Sequence, residues 1–291
     1  MTFKFIEDHR HEFGVDLMCR VLDVSRSGYY AYCQRSTSKR KMANEVLLGH
    51  VQTIFEESGC TYGSPRVYQE LRKRAFVCSE KRVARLMRLG GLRAKGIKRT
   101  RKRVSEQSQQ ATAPNLLQGN FTANELNTRW LTDMTYIRTR QGWLYLAAVL
   151  DLCSRKVVGW AMANRMVSAL PEQALKMALM QRVPDTGLVH HSDQGSQYRS
   201  AAYQRLLRDH NITVSMNGVG AWSDNAPMES FFATLKRECV DGRLYTTRAE
   251  ARTALFAYIE GFYNRRRLHS SLGYESPEEF ERKSCGCLVP R

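Results

Sequence analysis

The 291-residue sequence predicts an α/β protein in two parts, an all-helical N-terminal region and a domain built on a mixed five-stranded sheet. Apolar side chains recur at helical spacing within the first 92 residues. From Trp130, three short apolar stretches follow one another closely, and helical and strand patterns alternate after them. The two parts also differ in charge. Lys and Arg outnumber Asp and Glu by 23 to 10 in residues 1–104, but only by 22 to 18 in residues 105–291.

Residues 42–57 have an apolar face at helical spacing and are predicted to form an amphipathic helix. Residues 24–32 end an earlier helical unit, whose tyrosines are interpreted as packing residues rather than as platforms for stacked bases. The apolar face consists of Val46, Leu47, Val51, Ile54 and Phe55, and the tyrosines are Tyr29, Tyr30 and Tyr32.

A helix-turn-helix is predicted next. Its first helix starts at Ser64-Pro65, a capping residue followed by proline. Its second helix starts at Ser79 and stops at Gly90-Gly91, after a short connection over residues 75–78. Basic side chains around this second helix suit contacts in a DNA major groove, although a helical bundle with a solvated basic face would show the same pattern. These candidate DNA-binding residues are Lys81, Arg82, Arg85 and Arg88.

Residues 93–103 carry seven positive charges and no negative charge, and a stretch rich in Gln, Ser, Ala and Asn follows to residue 128. We interpret this segment as a linker whose basic half becomes ordered along a phosphate backbone. A solvated spacer is the alternative. The residues expected to contact DNA are Arg99, Arg101, Lys102 and Arg103.

The net charge of +17 favours a polyanionic partner, and we expect nucleic acid rather than a membrane surface. No apolar run approaches the ~20 residues that cross a bilayer, and the N-terminus has no signal-peptide core, so we expect a soluble intracellular protein. Eight cysteines without a CxxC pair are interpreted as reduced thiols rather than zinc ligands or disulfides.

The C-terminal part has the predicted element order βββαβαβα. A mixed sheet covered by helices in this order matches a ribonuclease-H-like domain. The predicted division is a helical DNA-binding region at 1–92, a linker at 93–128, the ribonuclease-H-like domain at 129–283 and an unassigned tail at 284–291. The predicted strands are 130–138, 144–152, 156–163, 188–193 and 212–217, and the predicted helices are 171–182, 199–209 and two that begin near 226 and 248.

Three carboxylates stand out in this domain. Asp133 is flanked by apolar residues within the first strand, where a charge rarely serves stability. Asp193 ends a buried strand. Glu229 lies near the start of a helix announced by Asp224, Asn225 and Pro227, where Asp224 could serve as the cap. Three acids in one site need compensating cations, so a pair of divalent ions is expected to bridge them and to promote cleavage or transfer of a phosphodiester.

Lys236 follows Glu229 on the same helical face, about 10 Å along the axis, and could reach the scissile strand. Other polar residues are more ambiguous. Asp151 and Arg155 could form a structural pair at a strand turn or act in catalysis. His191 and Gln194 could orient Asp193 or contact substrate. Residues 269–271 could pack the C-terminal segment or contact DNA.

Five ordered blocks resemble the signature blocks of insertion-sequence transposases, namely WLTDMTYI, DLCSRKVVGW, HHSDQGSQY, DNAPMESFFATLKRE and YNRRRLHSSLGYESP. The segments VSRSGYYAY and YGSPRVYQEL extend the likeness over nearly the whole chain. The chain is thus similar to the second-reading-frame (OrfB) transposase proteins, whose core is of the DDE-type retroviral-integrase superfamily. The tail ERKSCGCLVPR matches nothing in this family.

The resemblance implies that Asp133, Asp193 and Glu229 are the metal-binding catalytic triad, and that Lys236 contacts DNA ends. It further implies two Mg²⁺ or Mn²⁺ ions and action as a homo-oligomer on element ends and target DNA in the bacterial cytoplasm, at the nucleoid. A protein from the upstream frame, joined by frameshifting, is the implied partner. The zinc module of retroviral integrases is absent from the sequence. A ribonuclease-H-like nuclease and a non-catalytic DNA-binding regulator of transposition are the alternatives.

Overall fold

The computed structural model describes residues 2–34, 38–96, 113–184, 187–218 and 225–284. The N-terminal part is helical where it is described, as the sequence predicted. Its six helices form two groups, each with its own small core. The first group is α1 (Thr2–His9), α2 (Val15–Val21) and α3 (Arg26–Gln34), and the second is α4 (Lys39–Glu57), α5 (Ser64–Lys73) and α6 (Glu80–Leu89).

The packing interpretation of the tyrosines holds for Tyr29, which is buried among α1–α3. Tyr30 and Tyr32 are exposed, although their rings contact those of Tyr29 and Phe3. On α4 the predicted apolar face is buried except for Val46, which is 64% exposed. Burial of Val46 was a wrong prediction, because the residue lies on the outer flank of the helix, about 100° around its axis from the buried Leu47.

Helices α5 and α6 form the predicted helix-turn-helix. Ser79 caps α6, since its Oγ accepts a hydrogen bond from the backbone N–H of Arg82 at 3.3 Å. At the end of α5, Ala75 adopts a left-handed conformation with φ of 62°, which turns the chain toward α6. Gly63 precedes α5, so Ser64 is the first helical residue rather than the cap.

The C-terminal part contains a mixed five-stranded sheet, as predicted. Its strand order is β3-β2-β1-β4-β5, in which β1, β2 and β3 are antiparallel and β4 and β5 run parallel to β1. The strands are β1 (Arg129–Thr139), β2 (Gly142–Asp151), β3 (Val157–Ala163), β4 (Val189–Ser192) and β5 (Thr213–Met216).

Helices cover both faces of the sheet and bury alternate strand residues. On β1, Trp130 joins the core beneath α7 and α8, whereas Leu131 joins the core beneath α9 and α10. Gly159 lets α7 approach β3 closely, because a Cβ at this position would lie 2.2 Å from the carbonyl oxygen of Ala174. These helices are α7 (Ala169–Gln181), α8 (Ala201–Asp209), α9 (Ala226–Leu235) and α10 (Arg248–Phe256).

Helices α9 and α10 continue as π-helical turns over Lys236–Val240 and Ala257–Tyr263. The chain then returns to the N-terminal part before α11 (Pro277–Ser284). Leu268 joins the core of α4–α6, and the hydroxyl of Tyr62 accepts a hydrogen bond from its backbone N–H at 2.9 Å. The helix-turn-helix and the sheet domain are therefore joined through this returning segment. The predicted boundaries at residues 92, 128 and 283 stay a prediction.

Within the described ranges, no helix is both long enough and apolar enough to cross a membrane. Six cysteines fall in these ranges, and all six are free thiols.

Candidate active site

Asp133 lies within β1, and Asp193 directly follows the end of the neighbouring parallel strand β4. The register of β1 and β4 pairs Leu131 with His191, and each carboxylate follows two residues later on its own chain. Side chains two residues apart on a strand point to the same side, so Asp133 shares the side of Leu131, which faces α9 and α10. β4 ends at Ser192, so the two acids flank the point where the strands separate.

Both carboxylates accept hydrogen bonds from nearby backbone N–H groups. The N–H of Met134 donates to Asp133 Oδ1 at 2.7 Å, and the N–H of Gly195 donates to Asp193 Oδ1 at 2.9 Å. Burial raises the pKa of Asp193, and the Gly195 hydrogen bond opposes this change. Tyr198 lies near both acids, since burial and then the charges of Asp133 and Asp193 raise its pKa. The carboxylates of Asp133 and Asp193 therefore both lie in the surroundings of Tyr198.

Glu229 reaches this region on the first turn of α9. The side-chain amide of Asn225 donates a hydrogen bond to the backbone oxygen of Thr132 at 3.1 Å and so ties the start of the helix to β1 beside Asp133. The opposite side of α9 packs into the core through Met228, Phe231 and Leu235. Phe232, three residues after Glu229 on this helix, is also buried. Residues 219–224, including the predicted capping residue Asp224, lie outside the described residues.

Lys236 stands at the junction between α9 and the π-helical turn. Its ammonium lies 5.1 Å from the centre of the Tyr136 ring, which is half exposed on β1. Burial lowers the pKa of Lys236, while the charges of Asp133 and Asp241 favour its protonated form. A cation predicted to contact DNA thus lies within electrostatic reach of Asp133.

The described residues contain no group of three or more His, Cys, Asp or Glu side chains that could hold a metal ion. The arrangement brings β1, β4 and α9 together, but it does not gather their three carboxylates into such a group. The carboxylate oxygens of Asp133 and Asp193 are donors of the type that hard divalent cations take. The metal-binding triad itself stays a prediction.

Hydrogen bonds from β5 hold the turn that carries Asp193. His191 is fully buried, with its ring nitrogens 2.8 Å from Ser215 Oγ and 2.6 Å from Asn217 Oδ1. Gln194 donates to the backbone oxygen of Asn217 at 2.7 Å. These contacts support a positioning role for both residues, which is one of the two roles left open by the sequence.

Asp151 and Arg155 do not form a side-chain ion pair. Asp151 is buried, and its carboxylate accepts hydrogen bonds from the backbone N–H groups of Asn127, Cys153 and Ser154. Arg155 meets Asp151 only through the main chain, where its N–H donates to the Asp151 oxygen at 2.9 Å. Asp151 is therefore a turn-forming residue, and the guanidinium of Arg155 points elsewhere.

Of the predicted contacts on α6, Lys81, Arg85 and Arg88 are exposed. Arg82 is half-buried, and its Nε donates to Asn44 Oδ1 on α4 at 2.8 Å, so this side chain also holds the helix pair together. DNA contact by these residues stays a prediction. The linker residues Arg99, Arg101, Lys102 and Arg103 and the tail from residue 285 lie outside the described residues.

Two site features escaped the sequence reasoning. Tyr198 lies within HHSDQGSQY and Asn225 within DNAPMESFFATLKRE, but neither has a residue type that marks it as a site component. A signal was available in their positions, five residues after Asp193 and four residues before Glu229. Such closeness in sequence indicates that Tyr198 and Asn225 lie near the carboxylates, but it does not show which contacts they make.

Family comparisons match most of the chain. Two integrase core domain models match residues 123–221 and 229–285, and an HTH-like domain model matches residues 42–103. Among solved structures, a simian T-cell lymphotropic virus intasome in complex with PP2A regulatory subunit B56 gamma has a TM-score of 0.45 at 12% identity, over 83% of this chain and 76% of that one. The HTLV-2 integrase catalytic core in complex with magnesium has a TM-score of 0.36 at 17% identity, over 53% of this chain and 96% of that one.

Sequence relatives are much more similar. Transposase InsF for insertion sequence IS3A from Escherichia coli (strain K12) is 43% identical over 98% of this chain and 99% of its own length. The transposase for insertion sequence element IS904 from Lactococcus lactis subsp. lactis (strain IL1403) is 42% identical over 85% of this chain and 98% of its own length. The chain also has an HTH-like region and an integrase core, and this core implies polynucleotidyl transferase activity. Because these domains occur together with the close similarity to the transposase of IS3A, the chain belongs to the IS3 family of DNA transposases.

Proposed function

We propose that this transposase cleaves the ends of its insertion element and joins the freed 3′ ends to target DNA, with Asp133, Asp193 and Glu229 as the catalytic acids. The observation that supports the proposal is that Asp133 and Asp193 each follow two residues after the paired positions Leu131 and His191 of adjacent parallel strands. The start of α9 is tied to β1 beside Asp133. Neither step needs a covalent enzyme intermediate.

The three acids would hold two divalent cations, Mg²⁺ or Mn²⁺. When bound, the cations supply positive charge that stabilises the attacking and departing oxygens of the phosphodiester. Gly195 and Met134 orient the two aspartates through their backbone N–H groups. The position of Glu229 would be set by α9. The start of this helix is held against β1 by the hydrogen bond from the Asn225 side chain to the Thr132 backbone oxygen. Lys236 would hold a DNA phosphate beside Asp133, since its ammonium already lies at the edge of this site.

The proposed partners are element ends and target DNA, bound through α6, the basic linker and Lys236. A homo-oligomer would hold two ends together, and a protein of the upstream frame would join by frameshift fusion. The boundaries at residues 92, 128 and 283 are proposed as the limits of the helical region, the linker and the catalytic domain.

The decisive experiment compares Asp193→Asn with wild type on labelled element-end duplexes in Mg²⁺. We expect end cleavage and strand transfer to fall by at least about a thousandfold, because the substitution removes a ligand charge that acts in the transition state. DNA binding should stay within about twofold. Asp209→Asn, an exposed aspartate at the end of α8, is the matched control and should retain activity. Normal strand transfer by Asp193→Asn would refute the assignment.

The same assay separates the alternatives. A ribonuclease-H-like nuclease would cut an RNA–DNA hybrid in preference to element ends. A non-catalytic regulator would bind the ends in Mg²⁺ or Mn²⁺ without cutting them, and would do so equally well as wild type or Asp193→Asn.

A further inference from the structure

A cavity of about 450 Å³ opens between α5, α9, the β2–β3 turn and residues 263–271. The described residues that line it are largely polar and cationic, and none of them is a carboxylate. α9 contributes Ser230 and Thr234 from a flank that begins about 100° around the helix axis from Glu229. The remaining polar lining comprises Arg66, Arg155, Arg237, Arg267, His269 and two serines at 270 and 271.

Two of the four arginines share a single carboxylate within the protein. Arg267 contacts Glu238 with Nε and Nη2 at 2.8 and 2.7 Å, and Arg237 lies 3.3 Å from the same carboxylate. Glu238 is buried behind the cavity wall. It therefore compensates one of these two charges and leaves the cavity positive.

The other two arginines have no carboxylate partner among the described residues. Arg66 donates from Nε to the backbone oxygen of Leu268 at 2.8 Å. The Arg155 side chain, which also lines the cavity, makes no hydrogen bond or ion pair with any residue that the structure describes. Both are half-buried, and burial lowers the pKa of each guanidinium. Holding two desolvated cations against one cavity is costly unless an anion occupies it.

His269 gives an independent indication of a ligand. Its side chain is 9% exposed and lines the cavity, and its Nε2 has no hydrogen-bond partner within the described structure. Burial, followed by the charges of Arg267, Arg66 and Arg155, lowers the pKa of His269 to about 2, so the ring is neutral at pH 7. A neutral imidazole can donate one hydrogen bond, and a buried nitrogen left without a partner is uncommon.

We propose that this cavity binds a backbone phosphate of the DNA strand that passes the catalytic acids, with Arg66 and Arg155 as its cationic ligands and His269 and Ser271 at its rim. The inference rests on the proposed function, because the cavity adjoins the same helix, α9, that carries the proposed catalytic residue Glu229. Arginine guanidinium groups match phosphate oxygens in geometry as well as charge. The motifs YGSPRVYQEL and YNRRRLHSSLGYESP thus meet to build one site, Arg66 coming from the first and His269 and Ser271 from the second.

The first test changes only the exposed rim. Ser271→Asp places a negative charge at the mouth of the cavity, and Ser271→Asn is its uncharged control of similar size. Binding to element-end duplex is measured in EDTA over a series of salt concentrations, so no catalytic step takes part. We expect Ser271→Asp to bind about tenfold more weakly near 0.1 M salt and to reduce the slope of log K against log salt by about 0.9, which corresponds to one lost phosphate contact. Ser271→Asn should bind at least about fivefold more tightly than Ser271→Asp, because the two variants differ in charge and hardly in size. Equal affinity and slope for wild type and Ser271→Asp would overturn the proposal.

The second test asks whether the site recognises the phosphate of DNA or a free anion. Inorganic phosphate should raise the Tm of wild type above its value in chloride of equal ionic strength, and Arg155→Gln should lose this increase. Arg155→Gln should also weaken DNA binding, whereas removing two exposed charges from α8 with Arg205→Gln and Arg208→Gln should have less than half that effect. A phosphate-dependent Tm without any change in DNA binding would identify a free-anion site and overturn the assignment to DNA. An equal loss in the α8 control would show a general effect of charge, with the same consequence.

These outcomes are independent of the proposed chemistry. If the wild-type protein showed no Mg²⁺-dependent strand transfer, the proposed function would be contradicted. DNA binding in EDTA involves no catalytic step and therefore tests the cavity alone.

Discussion

Glu238 offers a direct test of how the π-helical turn holds the C-terminal segment in place. Its carboxylate is almost fully buried, and it accepts two charge-assisted hydrogen bonds from Arg267 and one from the Tyr258 hydroxyl at 2.8 Å. Glu238→Gln preserves the shape of the side chain but removes its charge. The guanidinium of Arg267, which is equally buried, then keeps its positive charge without a counterion.

The expected cost is about 3–5 kcal/mol, the range for removing one partner from a buried ion pair. Most of this cost comes from the stranded Arg267 charge, because the amide of Gln can still accept one hydrogen bond. Replacing both partners, as in Glu238→Leu with Arg267→Met, should cost less than Glu238→Gln alone. The comparison therefore separates the penalty of an unpaired charge from the net value of the pair.

The assay is urea unfolding followed by tryptophan fluorescence. Because its hydrogen bonds to Arg267 and Tyr258 outweigh burial, Glu238 has a lowered pKa in the folded protein. Its contribution is therefore present above the unfolded pKa near 4.5 and is lost as the pH falls through the folded pKa. The difference between wild type and Glu238→Gln should be largest near pH 7 and should shrink in acid. A difference below about 1 kcal/mol at pH 7, or one that grows in acid, would refute the reasoning.

Three other predictions concern stability. Gly159→Ala should destabilise the sheet domain by about 1–3 kcal/mol in urea, because the new methyl group would collide with the Ala174 oxygen; an unchanged midpoint would contradict the close packing of α7 on β3. Ser79→Ala should cost about 1 kcal/mol through loss of the α6 cap, measured by thermal melting, and Ser79→Asp should restore most of it. His190 is buried against the Tyr203 hydroxyl, and burial lowers its pKa to about 3, so the stability of wild type should decrease as the pH falls below about 6.5. In urea unfolding over a pH series, the stability of His190→Gln should decrease less steeply. Parallel curves for the two proteins would argue against His190 as the origin of the effect.

The sequence predicted most of the fold because its elements carry strong local signals. A short apolar stretch from Trp130 identified β1, and the capping residue Ser79 located the start of α6 within a residue. The mixed topology followed from element order, since a strand that returns after a helix lies parallel to an earlier strand. The π-helical continuations of α9 and α10 were not predicted, because they depend on contacts such as that between Glu238 and Arg267 rather than on local spacing.

The candidate site was predictable to a different extent. Asp133, Asp193 and Glu229 were predicted from residue type and place, and their catalytic role stays a prediction; the strand register accounts for the matching positions of the first two relative to β1 and β4. The role of Asp151 and Arg155 could not be decided from sequence, because the same motif allows a side-chain pair or a main-chain turn. Contacts across more than 200 residues, such as that of Tyr62 with Leu268, leave no periodic signal at all.

The packing of Leu268 against α4–α6 has a consequence for synthesis of the protein. Residues 62 and 268 are 206 positions apart, so the helical unit emerges from the ribosome long before the segment that completes its core. Until then, the apolar surface that Leu268 covers faces water. The helix-turn-helix therefore reaches its final stability only after residue 268 has been synthesised, by which point all five strands of the sheet domain have already been made.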